Sequence, residues 1–315
     1  MNSKLKVLVS GSLVYDRIMD FPGYFKDHIL PDKIHVLNVS FCINRLQESF
    51  GGTAGNIAYN LSLLGEKPIV SGIVGEDFGK YEKWFRKNQI NLSLVKKIKK
   101  ENTASAYIMT DQADNQITGF YPGPRGDKFF QEIKKIKKID LAIVSPELKE
   151  RMLGHIKIYK ELKVPYVFDP GQQITSFSAS DLNLATKGAK ILIGNDYEIE
   201  LIIKKLSVNI EKLQKFCEIL VITKGSKGSL IYCKGKKIII PPAKPKNTSD
   251  PTGAGDAYRA GLIKGILLGW SLEKAGRLAG LVAIYTVEKY GTQTHRFSWK
   301  ELEKRYWESY GEKIG

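Results

Sequence analysis

The stretch DPTGAGDAYRAG, residues 250–261, sets three glycines and two carboxylates directly ahead of an apolar helical pattern. A helix N-terminus leaves backbone N–H groups without partners and carries a partial positive charge. Glycines there let the backbone approach an anion closely. That suits a phosphoryl group, whose charge peaks in flight. A carboxylate in the first turn, beside those donors, can take the proton of an attacking hydroxyl. The residues therefore read as a site for phosphoryl transfer to an alcohol. Asp256 is the base, and the amides of Ala254, Gly255 and Asp256 form an anion hole. A second reading stays open: a tight glycine turn followed by a carboxylate that only complements the helix dipole. The stretch is neither G-x-x-x-x-G-K-[ST] nor G-x-G-x-x-G, because Tyr258 fills the third glycine position.

Such a loop needs a scaffold, and the chain supplies an alternation. The apolar runs KVLVSGSLV (6–14), PIVSGIVG (68–75), IDLAIVS (139–145), VPYVFDP (164–170), AKILIGN (189–195) and EILVITKG (218–225) read as strands. Helical spacing appears at 54–65, ending on Gly65, and again at 78–89. Strands alternating with helices predict a mostly parallel sheet covered on both faces. Ligands in such sheets lie at the carboxyl ends of strands, which marks residues 10–16, 169–173, 195–198 and 223–228. Residues 17–50 and 102–121 break the alternation and read as a small β-flap or as edge hairpins.

The 315 residues carry Lys+Arg 49 against Asp+Glu 33, a net charge of +16. The basic runs are short (KKIKK at 96–100 and again at 134–138), interrupted by isoleucine and free of base-stacking aromatic residues. They read as a solvated surface rather than a nucleic-acid interface. A non-catalytic, basic nucleic-acid-binding protein is the alternative from a different class. No stretch is long and apolar enough to predict a membrane span. The opening residues predict no signal peptide. Three separated cysteines predict neither a disulfide framework nor a zinc site, and the expected location is the cytoplasm.

Four motifs together resemble one family. DPTGAGDAYRAG looks like the C-terminal signature of the ribokinase-like (PfkB) carbohydrate and nucleoside kinases. FGGTAGNIAYNLSLLG (50–65) is similar to the family's glycine-rich sugar-side motif, NDYE (195–198) to its magnesium motif, and TKGSKGS (223–229) to its nucleotide loop. They occur in family order and span most of the chain. GSLVYDRIMDFPGYF, LPDKIHVLNVSF, GFYPG and DPGQQ narrow the resemblance to the bacterial type of adenosine kinase.

The resemblance implies one ribokinase-like kinase domain over 1–315, with a mostly parallel central sheet flanked by helices. A small β-sheet lid would come from about 17–50 and 102–121, and two copies would pair through it as a homodimer. It implies transfer of the ATP γ-phosphate to the 5′-hydroxyl of adenosine, giving AMP and ADP in purine salvage. ATP and Mg²⁺ are the implied cofactors, with room for a monovalent cation. Asp256 is the implied base, with Gly253, Ala254 and Gly255 as the anion hole. Asp16, Gly52 and Asn56 would clamp the ribose, since an ionised carboxylate suits vicinal hydroxyls. Ser12, Gln172 and Gln173 would contact adenine, with Phe41 and Phe120 flanking it. Asn195 and Glu198 would hold Mg²⁺ through water, and Asn195, Thr223, Gly225 and Gly228 would bind ATP. Several of these have simpler readings too. Asn195 with Glu198 spells a helix capping box, Asp16 fits a turn, and the two phenylalanines fit a core. The sequence departs from the adenosine kinases at ASAY (104–107), where small Ala106 replaces a bulky aromatic. Tyr107 substitutes for it, or the base pocket is looser. Other acceptors left open are inosine, guanosine, cytidine, ribose and fructose 6-phosphate. The last would need a basic clamp, for which Arg125 is the nearest candidate.

Overall fold

In a computed structural model, residues 5–125 and 129–314 are described. Residues 1–4 of the opening stretch therefore lie outside the described residues. Thirteen strands are present among those described: β1 (Val7–Ser10), β2 (Val14–Asp20), β3 (Arg45–Gly51), β4 (Ile69–Val74), β5 (Asn91–Lys97), β6 (Ser105–Thr110), β7 (Gln116–Tyr121), β8 (Leu141–Val144), β9 (Tyr166–Phe168), β10 (Ala189–Asn195), β11 (Cys217–Thr223), β12 (Ser229–Cys233) and β13 (Lys236–Ile240). The helices are α1 (Thr53–Leu63), α2 (Gly79–Lys87), α3 (Lys149–Glu161), α4 (Ala179–Thr186), α5 (Asp196–Leu206), α6 (Ile210–Leu213), α7 (Ala254–Leu267), α8 (Leu272–Val287) and α9 (Trp299–Tyr310).

Nine strands form one sheet in the order β13-β12-β11-β10-β9-β8-β1-β4-β5. It is parallel from β11 to β5, and only the β11–β12–β13 meander is antiparallel. The expected alternation is thus present, and the central strands are buried on both faces as parallel strands must be. One core holds Ile57, Phe85, Leu262, Val282 and Leu302 from α1, α2, α7, α8 and α9. The other holds Met152, Ile156, Leu182, Ile202 and Leu213 from α3 to α6. The chain runs outward from β1 to β4 and β5, then returns to β8 on the other side of β1. That reversal opens a crevice at the carboxyl ends of β1 and β8.

A second sheet has the order β3-β2-β6-β7. It comes from the two segments that broke the alternation. The run KVLVSGSLV, expected as one strand, holds the whole of β1 and the first residue of β2, which lie in different sheets. The break falls at Gly11, where an added Cβ would stand 2.0 Å from Ser145 Oγ. Within the segment 17–50 that reads as a β-flap, HVLNVSF (35–41) forms no strand. Pro31–Val36 is a short 3-10 helix with no buried residue, so no face exists for an alternating strand to cover.

Candidate active site

α7 begins at Ala254 because Gly253 takes a left-handed backbone, φ 78°, which turns the loop into the helix axis. The first turn carries Asp256. Its walls come from four strand ends and from α1: Thr53, Pro146, Asp169, Gln172, Asn195, Glu198, Thr223 and Arg259 line a cleft of about 260 Å³ with Gly253, Gly255 and Asp256. Asn195 and Thr223 are direct neighbours across β10 and β11.

Asp256 stays partly accessible at the cleft mouth but is otherwise enclosed by protein. Burial pushes its carboxyl up to about 7, and the charges of Asp169 and Glu198 add to that. Arg259 and a hydrogen bond from Asn56 oppose it. That bond, Asn56 Nδ2 to Asp256 Oδ2, is 2.8 Å. Arg259 is buried against Asp169, donating Nη2 to Oδ1 at 2.7 Å and Nε to Oδ2. Its Nη1 also donates to the Gly255 carbonyl at 2.9 Å, clamping the first turn of α7.

The anion hole differs from expectation at one residue. The Ala254 N–H already donates to the Pro251 carbonyl at 3.1 Å, which closes the turn before the helix. The N–H groups of Gly253, Gly255 and Asp256 have no acceptor among the described residues, as befits a helix start.

In the second sheet Asp16, Ala106 and Phe120 are neighbours across β2, β6 and β7, and so share one face. Burial, with the Asp250 charge second, raises Asp16 to about 6. Its carboxylate has no hydrogen-bond partner among the described residues. Gly51 leaves the room that this carboxylate occupies, since an added Cβ would sit 2.0 Å from Asp16 Oδ2. Tyr107 cannot substitute for the aromatic missing at Ala106. It points to the opposite face, where its hydroxyl accepts from Arg17 Nη1 at 3.0 Å. Phe120 is exposed. Phe41 lies apart in an aromatic cluster with Phe21, Phe25 and His28.

Gly52 begins α1 with φ 85° beside the Ser12 carbonyl. The hydroxyl of Ser12 accepts from Thr53 N at 3.1 Å, so it caps α1. Gln172 reaches the cleft wall, whereas Gln173 is engaged by Ser176 Oγ. Asn195 and Glu198 form the capping box and also line the cleft. Burial raises Glu198 above the usual carboxylate range, with Asp169 adding to it. Only Oε2 of Glu198 is engaged, with Asn195 N at 2.8 Å, so Oε1 is available to a water. No cluster of three His, Cys, Asp or Glu able to hold a metal occurs among the described residues. This donor set fits Mg²⁺ held through water and substrate phosphates, not a protein cage. Gly225 and Gly228 form the turn beyond Thr223, outside the cleft lining. Sequence reasoning gave no role to Arg259, although it lies inside DPTGAGDAYRAG, nor to Gln293, Tyr81 and Trp84, which brace the site from the loop after α8 and from α2.

The lysines of both KKIKK runs are exposed, while Ile98 and Ile136 pack toward the core. No described helix is long and apolar enough to cross a membrane.

A model of the pfkB family carbohydrate kinases matches residues 12–299. A nucleoside kinase of Methanothermobacter thermautotrophicus is 35% identical over 290 residues, covering 87% of this chain and 90% of that protein. The Methanocaldococcus jannaschii nucleoside kinase is 34% identical over 274 residues, 85% and 89% of the two chains. The structure resembles that of Burkholderia thailandensis nucleoside kinase in complex with inosine, with a TM-score of 0.84 at 33% identity, covering 98% of this chain and 99% of that one. The fold is therefore ribokinase-like, with a cleft built on Asp256 and the glycine turn before it at the carboxyl ends of the large sheet's strands. By sequence and by fold, this chain belongs to the pfkB family of carbohydrate kinases.

Proposed function

We propose that this chain is a nucleoside kinase, moving the γ-phosphate of ATP to the 5′-hydroxyl of a ribonucleoside, with adenosine as its leading acceptor. The observation that carries the proposal is the first turn of α7. It combines a carboxyl raised to about 7 with three N–H groups that have no acceptor among the described residues. In this reading Asp256 takes the proton of the 5′-hydroxyl as the O–P bond forms. The N–H groups of Gly253, Gly255 and Asp256 meet the charge on the transferring phosphoryl group. Mg²⁺, held through water by Asn195 and Glu198, would neutralise phosphate charge. Thr223 and the turn of Gly225 and Gly228 would border the nucleotide.

Asp16 would accept from the vicinal ribose hydroxyls, with Gly51, Gly52 and Asn56 leaving room for the ring. Phe120 would lie against the base, over the space that small Ala106 leaves. Among the described residues, Arg259 is the one cation lining the cleft, and it is paired with Asp169. That favours an uncharged acceptor over a sugar phosphate. Inosine is the second reading, favoured by that roomy Ala106 face and by the complex of the Burkholderia relative with inosine. The second sheet would act as a lid that excludes water from the transfer. Its exposed Leu46 and Ile117 would pack against a second copy in a homodimer.

The test is ADP release with MgATP across adenosine, inosine, guanosine, cytidine, ribose and fructose 6-phosphate. Adenosine should lead. Asp16→Asn should raise the KM of the nucleoside by about ten- to a hundredfold, as loss of charge-assisted hydrogen bonds does, with a smaller change in kcat. A sugar leading the panel would overturn the nucleoside assignment.

Dimerisation has a separate check. Leu46→Asp should shift the sedimenting species from two copies to one without unfolding it.

A further inference from the structure

Trp84 lies on α2 and touches nothing that reacts, yet one unbroken chain of hydrogen bonds joins it to Asp256. The indole N–H can only donate. The atom 3.0 Å from it is therefore Gln293 Oε1, which fixes the orientation of that amide. Gln293 Nε2 must then face Asn56 Oδ1, at 3.1 Å, and the Tyr81 hydroxyl, at 2.6 Å. Tyr81 can accept there because its own proton goes to the Gly51 carbonyl, at 2.8 Å. With its oxygen occupied, Asn56 presents Nδ2 to Asp256 Oδ2. Each amide has only one satisfactory orientation, and the sense of every one follows from the indole.

The parts are held tightly. Trp84 is stacked between Phe50 and Tyr59, at 5.7 and 5.8 Å, with the Arg296 guanidinium 5.6 Å from its ring. Gly55 leaves the room the junction needs, since an added Cβ would stand 1.9 Å from the Tyr81 hydroxyl. Asn60 braces the other end, donating to the Asn56 carbonyl at 2.9 Å and facing His295 Nε2 at 2.8 Å. Asp256 Oδ1 is left without a partner among the described residues.

We propose that Trp84 is a positioning residue for the phosphoryl-transfer base. Through Gln293 and Asn56, its N–H decides which oxygen of Asp256 is tied and which is left to receive the acceptor's proton. A Trp84→Phe chain keeps the aromatic stack but frees Gln293 to turn over. Asn56 can then turn as well and bring an acceptor against the carboxylate. The kinetic side of this inference rests on the nucleoside-kinase reading. The titration of Asp256 does not.

The test uses protein labelled with ¹³C at aspartate carboxyls, with Asp256 assigned by its absence in Asp256→Asn. The resonance is titrated without substrate in wild type, Trp84→Phe and Gln293→Met. Asp256 also faces Arg259 on its own helix, Asp169 at the end of β9, Glu198 on α5 and Tyr81 on α2, none of which these variants replace. The midpoint should rise in both variants by about half a unit to one unit, the worth of one hydrogen bond to the charged form. The acid limb of kcat should move with it. At its plateau kcat should fall about five- to tenfold, with the acceptor KM little changed. A midpoint that stays put in both variants overturns the proposal, even if both are less heat-stable, because a merely structural role would lower stability alone. If Trp84→Phe does not fold, Gln293→Met alone decides it. If wild type phosphorylates no nucleoside, the reading of the reaction falls while the titration still judges the relay.

Discussion

Asp256→Asn should lower kcat by about 10²–10⁴-fold, the usual worth of a general base, and should make the protein more stable at pH 8. The two effects have one cause. Burial raises the carboxyl from 3.8 to about 7, so the native fold favours the protonated acid. A folded-state value above the unfolded one contributes stability that is complete below the unfolded value. It is lost as pH rises through the folded value. At pH 8 the wild type therefore carries a disfavoured charge that asparagine lacks. The shift allows at most about 4 kcal/mol by linkage, and water at the cleft mouth reduces that to about 1–2 kcal/mol. Tm of Asp256→Asn should exceed that of wild type by about 2–5 °C at pH 8, with the gap closing near pH 4. The wild-type kcat/KM should fall on the acid side with a midpoint near 7. A variant that is inactive but no more stable at pH 8 would show that the carboxylate is not held against its preference.

Asp169→Ala should have the largest effect on stability. Arg259 and Asp169 are both buried, with side chains 8% and 2% exposed. Removing one member leaves the other charge buried and alone, which costs about 3–5 kcal/mol, or roughly 10 °C in Tm. Activity should fall as well, because Arg259 holds the Gly255 carbonyl beside the phosphoryl site. The double replacement Asp169→Leu with Arg259→Met separates the two roles. It removes both charges and should regain most of the lost stability, yet stay slow because the first turn of α7 is unclamped. Thermal unfolding and steady-state rates on the three chains check this. Full recovery of rate in the double variant would show that the pair matters for stability alone.

Much of this was readable in the sequence, for physical reasons. Buried parallel strands must be continuous apolar runs, so β1, β4, β8, β10 and β11 announced themselves. Asp256 and its glycine turn stood out because a helix start, a left-handed loop residue and a carboxylate rarely coincide without use. Where the reading failed, the deciding contact was remote. Nothing local says that Gly11 meets Ser145, so the first strand was drawn too long. Nothing local says that Ala254 N–H bonds to Pro251, so its amide counts as a free donor on the sequence alone, where the structure offers that of Gly253 instead. The face of Tyr107 depends on the register of β6 against β2, which periodicity alone cannot set. Arg259 lies within DPTGAGDAYRAG, yet its part in the site, like those of Gln293 and Trp84, is defined by the partners it meets in the fold.

The sequence separations in the site bear on how the molecule acquires activity. Asn56 and Asp256 are 200 residues apart, Gln293 and Asn56 237, and His295 and Asn60 235. Contacts of such span close the largest loops and form late, after local helices and neighbouring strands. The central strands can therefore assemble around a centre that is still chemically blank. Only docking of the C-terminal helices against α1 completes it. The contacts that order the base are therefore expected late in folding, and a chain cut short before residue 293 would keep Asp256 but lose the amide that orients Asn56 against it.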